Sequence, residues 1–261
     1  MKLDELKKKL STRNEKLIAS VVDKLSNKKI NFLVSNEMTF FRVKSLFSKE
    51  PITIDWIRSF ENNSIFYDIG ANVGMYSVFA AIVSKSKVFS FEPEANNFQT
   101  LMENLILNNL SDKIIPYPIA ISDKTFFTTL YMNIFDKGSS HNAVGESLNH
   151  NLNKIKTKYK QGIFSTSLDD LCNYWKLPLP NYLKIDVDGI EFKIISKSKK
   201  ILSNKKLKSV LVEINPHREE DKSILKIMAD YNFSYSDQQV DTATRKSGPH
   251  KGYAEYLFYR K

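Results

Sequence analysis

The chain has 261 residues, 42% hydrophobic and 26% charged, the balance of a globular protein with one sizeable domain, or a domain with an appended piece. Its single cysteine excludes an internal disulfide, and no apolar run approaches the ~20 residues of a membrane span. The formal net charge of +10 comes mostly from lysine, whereas phosphate and base recognition recruits arginine forks, so a lysine-decorated solvent face explains it better than nucleic acid does.

Residues 3–27 place Leu3, Leu6, Leu10, Leu17, Ile18, Val21, Val22 and Leu25 at helical spacing among lysines. That predicts an amphipathic helical leader, suited to packing on the domain, to a homodimer contact, or to weak association with a membrane surface or anionic glycan. Its longest apolar stretch, Leu17 to Val22, is too short for a signal-peptide core, which makes a cytoplasmic protein the expectation. Residues 30–47 alternate apolar and polar and predict a β-hairpin turning at Ser35–Glu37. Pro51 then opens a short helix in EPITIDWIRSF. These pieces form an N-terminal extension over 1–60, ahead of a main domain over 61–261.

From Ile65 strands and helices alternate. IFYDIG, KVFSFE, KIIPYPIAISD, NYLKIDVDG and SVLVEINP read as strands, with VGMYSVFAAIV, ANNFQTLMENLILNN and EFKIISKSKKIL as helices between them. SLDDLCNYW reads as a short amphipathic helix that packs Cys172. FSYSD and AEYLFYR supply late strands for an antiparallel edge. The fold class is therefore α/β: a doubly wound, mostly parallel mixed sheet with helices on both faces and ligands beyond the strand C-termini. The polar segment 133–161 has little periodicity and reads as a lid or binding loop.

Within this frame, residues 68–81 (DIGANVGMYSVFAA) form a strand end, a glycine turn and a helix start. Gly70 and Gly74 allow a sharp turn and close approach to a ligand, and the helix offers free N–H groups. Glu92 follows the first glycine at about the 20-residue distance usual for a carboxylate that holds ribose hydroxyls. The loop reads Asp68-x-Gly70-x-Asn72-x-Gly74 instead of G-x-G-x-x-G. A pyrophosphate would be repelled by Asp68, while a sulfonium and an ammonium would be attracted. The loop therefore favours S-adenosylmethionine over NAD.

The ordered motifs DIGANVGMYS, SFEPEANNF, PIAISD, SLDDL, YLKIDVDGIE and LVEINP make residues 40–261 resemble the FkbM family of S-adenosylmethionine-dependent methyltransferases, and Lys49 to Ile57 matches a subset of it. The resemblance implies a class I, Rossmann-like methyltransferase that methylates a hydroxyl, often of a sugar in a surface polysaccharide or other glycan. By matching positions, Asp68, Gly70, Asn72 and Gly74 would cradle the methionine end of the donor, Glu92 its ribose, and Ser122 and Asp123 its adenine.

A sugar hydroxyl needs its proton removed, by a general base or a metal-assisted route. Asp186 and Asp188 would share one face at the end of the fourth strand, beside the transferred methyl. Asp186 with Glu213 could hold Mg²⁺, or could bind donor and acceptor without metal, the version favoured here. His141 and His217 are the candidate bases, and Arg245 and His250 in TRKSGPHKG are candidate acceptor contacts. A nucleic-acid methyltransferase competes through charge alone and lacks the Asn/Asp-Pro-Pro-aromatic tetrad, since Asp186-Val187-Asp188-Gly189 stands there. A binding or scaffold protein that retained the fold without activity is the second alternative.

Overall fold

The computed structural model describes residues 16–140, 142–147, 154, 156–248 and 250–261. Its centre is a seven-stranded sheet. The core strands are β3 (Ile65–Ile69), β4 (Lys87–Phe91), β5 (Ile114–Tyr117), β10 (Tyr182–Ile185) and β11 (Ser209–Ile214). All pair in parallel, in the spatial order β11-β10-β3-β4-β5. Beyond β11 lie β13 (Ala254–Arg260), antiparallel to both of its neighbours, and the short β12 (Phe233–Ser234) at the edge. The chain is thus an α/β protein with a mixed, mostly parallel sheet.

Period-two alternation divides the core between two faces. Phe66, Val88, Ile114, Tyr182 and Leu211 point to one side, where they meet the helices α2 (Pro51–Arg58) and α3 (Met75–Val83). Tyr67, Phe89, Leu183, Val210 and Val212 point to the other, against α5 (Leu168–Asn173), α6 (Glu191–Ser196), α7 (Lys199–Ser203) and α8 (Glu219–Asp230). On the first face α2 is anchored by Trp56, whose ring N–H donates to the buried Ser209 hydroxyl at 2.8 Å. Helix α4 (Ala95–Leu107) completes that layer: Asn104 donates to the Val73 carbonyl and accepts from the Leu33 N–H.

Several elements differ from the sequence reading. Residues 18–33 form the hairpin, β1 (Ile18–Asp23) with β2 (Lys28–Leu33), where a helical leader was expected. The β-branched Ile18, Val21 and Val22 suit a pleated surface, and Asp23 closes the turn by accepting from the Ser26 N–H and hydroxyl. The part of the predicted leader over residues 1–15 lies outside the described residues. The expected hairpin over 30–47 is replaced by helix α1 (Glu37–Ser45), because Asn36 and Thr39 make a reciprocal capping box.

The third predicted strand divides into β5 and the short β6 (Ala120–Ile121), and the latter joins a second, four-stranded sheet. That sheet also holds β7 (Phe126–Met132), β8 (Ala143–Val144) and β9 (Tyr159–Thr166), so the segment expected as a lid follows directly on β7, contains β8 and runs into β9. The helix expected over EFKIISKSKKIL is broken into α6 and α7. A last helix, α9 (Asp237–Ala243), precedes the segment that carries Arg245 and His250.

Candidate active site

A cavity of about 500 Å³, in the range of small-molecule sites, opens beyond the C-terminal ends of β3, β4 and β10. The turn after β3 forms one wall through Gly70, Ala71 and Asn72. Gly70 has φ +78, and a Cβ there would lie 1.9 Å from the Asp186 carbonyl oxygen. Its first role is to let two strand ends approach. Gly74, at φ +81, caps α3 from outside the wall, and a Cβ there would meet Leu101 at 2.3 Å.

Glu92 enters the cavity from the end of β4. One carboxylate oxygen accepts from the Asn72 N–H at 2.8 Å and the other from the Glu94 N–H at 2.9 Å. Burial outweighs these bonds and pushes Glu92 up to about 7. Asn72 and Asn97 both donate to the Ser139 carbonyl, at 2.7 and 3.0 Å, while Asn97 accepts from the Gly138 N–H at 2.8 Å. The segment around Gly138 is thereby strapped to the turn.

Asp68 lies beneath the cavity, not in its wall. It is fully buried, one oxygen accepts from Ser77 at 2.6 Å, and the other has no hydrogen-bond partner among the described residues. Across the ladder it is registered with Lys184. Burial raises its pKa, against the opposing pull of Lys184. The expectation that Asp68 lines the donor site therefore needs correcting: strand alternation turns it onto the face covered by α3. Ser122 and Asp123 also sit outside the wall, where the Ser122 hydroxyl donates to Asp123 at 3.1 Å. Their neighbours Ala120 and Ile121 line the cavity instead, together with Ile69, Phe91 and Val187.

The far side of the cavity is charged. Asp186, Asp188, Glu213, Glu50, Lys49, Lys184, Arg245 and His250 all line it. Lys184, nearly fully buried, donates to Asp186 at 2.8 Å and stands over the Tyr76 ring at 5.1 Å. Burial would raise Asp186, but the Lys184 and Lys49 ammoniums overcome it and hold the carboxyl well below the usual range. Glu213 is registered opposite Glu255 on β13, and Arg245 bonds both. Burial and the Asp186 charge push Glu213 up, against the Arg245 guanidinium. Glu50 accepts from Tyr76 at 2.7 Å and from Lys49 at 2.8 Å.

Two further expectations change. Asp186 and Asp188 do not share a strand face, because β10 ends at Ile185 and Asp188 adopts φ 60 in the following turn. His217 is exposed outside the cavity wall, with its ring nitrogen 3.3 Å from the Lys251 carbonyl. His141 lies outside the described residues. Of the histidines, His250 is the one seen in the wall among the described residues.

A magnesium site does not suit this arrangement. Lys184 already occupies Asp186 and Arg245 occupies Glu213, leaving few oxygens for an ion that demands octahedral coordination. Among the described residues, no group of three or more His, Cys, Asp or Glu side chains is placed to hold a metal. No helix among them is long and apolar enough to cross a membrane.

Sequence reasoning missed Glu50, Tyr76, Asn97, Lys184 and Arg42. A signal existed for Lys184, a charged residue embedded in the otherwise apolar YLKI.

The model of the methyltransferase FkbM domain matches residues 68–235. A hexuronic acid methyltransferase, AglP, of Haloferax volcanii is 21% identical over 233 residues, covering 89% of this chain and 90% of its own. The solved structure of a methyltransferase FkbM from Methylobacillus flagellatus has a TM-score of 0.49 at 16% identity and covers 87% of this chain. This chain spans 56% of that structure's length. A precorrin-6y C5,15-methyltransferase from Geobacter metallireducens gives a TM-score of 0.47 at 10% identity, over 81% of this chain and 86% of its own.

Proposed function

The chain belongs to the methyltransferase FkbM domain family, and from that premise we propose that it is an S-adenosylmethionine-dependent O-methyltransferase acting on a hydroxyl of a sugar in a glycan. The observation that carries this reading is a single cavity in which the Gly70–Asn72 turn and Glu92 face a cluster of Asp186, Glu213, Arg245 and His250. One side is built for a nucleoside and the other for a polyhydroxylated, polar acceptor. A relative aligned over 89% of the chain bears the name of an acidic sugar, which supports a sugar here.

S-adenosylmethionine, when bound, supplies a methyl group made electrophilic by its sulfonium. Glu92 would hold the ribose hydroxyls, since its carboxyl oxygens keep lone pairs beyond those spent on the two N–H groups. Gly70, Asn72 and the helix start after Gly74 would hold the methionine end. The apolar flank of Phe91, Ala120 and Ile121 offers a surface for the base.

On the acceptor side, Asp186 remains ionised and orients a hydroxyl by accepting its hydrogen bond. Its low pKa makes it a poor base. His250, whose residue type titrates near neutrality, takes the hydroxyl proton. Arg245 keeps Glu213 and Glu255 in place beside it. Closing these groups around the acceptor and excluding water supplies the alignment that methyl transfer chiefly needs. The reaction is set in the cytoplasm, with which the lone buried thiol of Cys172 agrees.

The test is transfer of labelled methyl from S-adenosylmethionine to a panel of neutral and acidic oligosaccharides and to tRNA. Label on a sugar oxygen supports the proposal. Label on a base would replace it with a nucleic-acid enzyme, and donor binding without transfer to any acceptor would favour a scaffold.

A further inference from the structure

The wall formed by α1 differs in chemistry from the deeper cavity. Met38, Phe41, Arg42, Ser45 and Leu46 lie at spacings of three and four residues, so one helix face lines the cavity. Phe41 is 60% exposed, which places this wall where the cavity meets solvent. Arg42 is fixed through its Nε, which donates to the Gly138 carbonyl at 2.8 Å. Its two terminal nitrogens make no hydrogen bond to any described residue.

An arginine tethered in this way keeps its end-on fork, the geometry that grips a carboxylate or two phosphate oxygens. Lys49 also lines the cavity, with 47% of its side chain exposed, near enough to Arg42 for the two positive charges to oppose each other. The deeper carboxylates of Asp186 and Glu213 are paired with Lys184 and Arg245 instead. Lys49 keeps its bond to Glu50, and the exposed Glu37 also lines this wall, so among the described residues the Arg42 fork is the cation at the solvent end not spent on a carboxylate.

We infer that Arg42, assisted by Lys49, forms a subsite for a negatively charged group on the acceptor, and so selects anionic sugars. The group is the carboxylate of an acidic sugar or the phosphate of a sugar phosphate. The inference rests on the reading of this cavity as a donor and acceptor site. An acceptor seated so would keep its charged end at α1 and reach inward with its hydroxyls, while the Phe41 ring offers a surface for the apolar face of a pyranose.

The experiment titrates D-glucuronate, glucose 1-phosphate and glucose into protein saturated with S-adenosylhomocysteine, using wild type, Arg42→Gln and Arg42→Lys. Wild type should bind one of the charged sugars at least about tenfold more tightly than glucose. Which one binds identifies carboxylate or phosphate as the group. Arg42→Gln should bring the preference within about twofold, and Arg42→Lys should keep only part of it, because an ammonium cannot form the fork. The affinity for S-adenosylhomocysteine should be unchanged in both variants.

Equal binding of the three sugars, no binding of either charged sugar at about 10 mM, or a preference that survives Arg42→Gln would overturn the subsite. A variant that also loses S-adenosylhomocysteine would assign Arg42 to the donor site and overturn it as well. Failure of wild type to bind S-adenosylhomocysteine would instead bring down the donor reading, and the subsite with it.

Discussion

Lys184 is the most informative side chain to remove. It is 1% exposed, donates to Asp186 at 2.8 Å, and is registered beside the buried Asp68. Lys184→Met keeps most of the volume and deletes the charge, leaving the buried Asp68 and the cavity-lining Asp186 without their nearest counter-ion. Breaking a buried pair from one side costs about 3–5 kcal/mol. For a chain of this size that corresponds to a fall in Tm of about 6–20 °C.

The pH dependence fixes the sign. Burial opposes the Lys184 ammonium, but Asp186, Asp68 and Glu50 raise it above the ordinary lysine range. Its stabilisation is complete below about pH 10 and is lost only as pH rises through that higher value. Asp186 is held low, so its share is present above about pH 4 and is lost as pH falls through its lower value. The deficit of Lys184→Met should therefore be full near pH 7. It should shrink toward about pH 4.5, because acid protonates the carboxylates left behind. Urea unfolding of wild type, Lys184→Met and Lys184→Met/Asp186→Asn across this range is the assay, and the double variant should recover part of the loss. A deficit under about 1 kcal/mol at neutral pH, or one that does not shrink on acidification, would refute the reasoning.

Gly70→Ala should cost about 3 kcal/mol or more, because it adds a Cβ 1.9 Å from the Asp186 carbonyl at φ +78. Gly162→Ala, with nothing within 4 Å of its Cβ, should shift the thermal midpoint by under about 2 °C. Glu92 is raised to about 7, so its contribution is full below about pH 4.5 and is lost as pH rises through 7. Glu92→Gln, which cannot ionise, should reduce the wild-type drop in stability between about pH 5 and pH 8 by about 2 kcal/mol in urea titrations; an unchanged drop would contradict this. His250→Ala, assayed with saturating donor, should lower kcat about a hundredfold with little change in KM, and a near-wild-type rate would remove it as the base.

The parts of the fold governed by local rules were readable from the chain. The strand, glycine turn and helix over 65–83 formed where alternation and Gly70 required them, and Pro51 opened α2. The hairpin was misplaced because Leu17 to Val22 satisfies helical spacing as well as a strand. Ser26 and Asn27, with Asn27 at φ 55, were the turn residues that could have decided it. The capping residues Asn36 and Thr39 likewise marked α1.

The site was less legible because its geometry depends on strand pairing. Asp68 looked like a donor ligand until its register with Lys184 turned it inward. Glu213 looked like a metal ligand until the opposing Glu255 and the Arg245 bridge appeared. Arg42 and Glu50 lie outside the glycine-turn segment, and only tertiary packing brings them to the cavity.

The most direct measurement is calorimetric titration of the wild-type protein with S-adenosylhomocysteine, beside NAD and beside the Glu92→Ala variant. A cavity in which Glu92 holds a ribose should give one-to-one binding of S-adenosylhomocysteine, weakened at least about tenfold in the variant, and no heat with NAD. Uptake of NAD without S-adenosylhomocysteine, or an affinity indifferent to Glu92, would contradict the account.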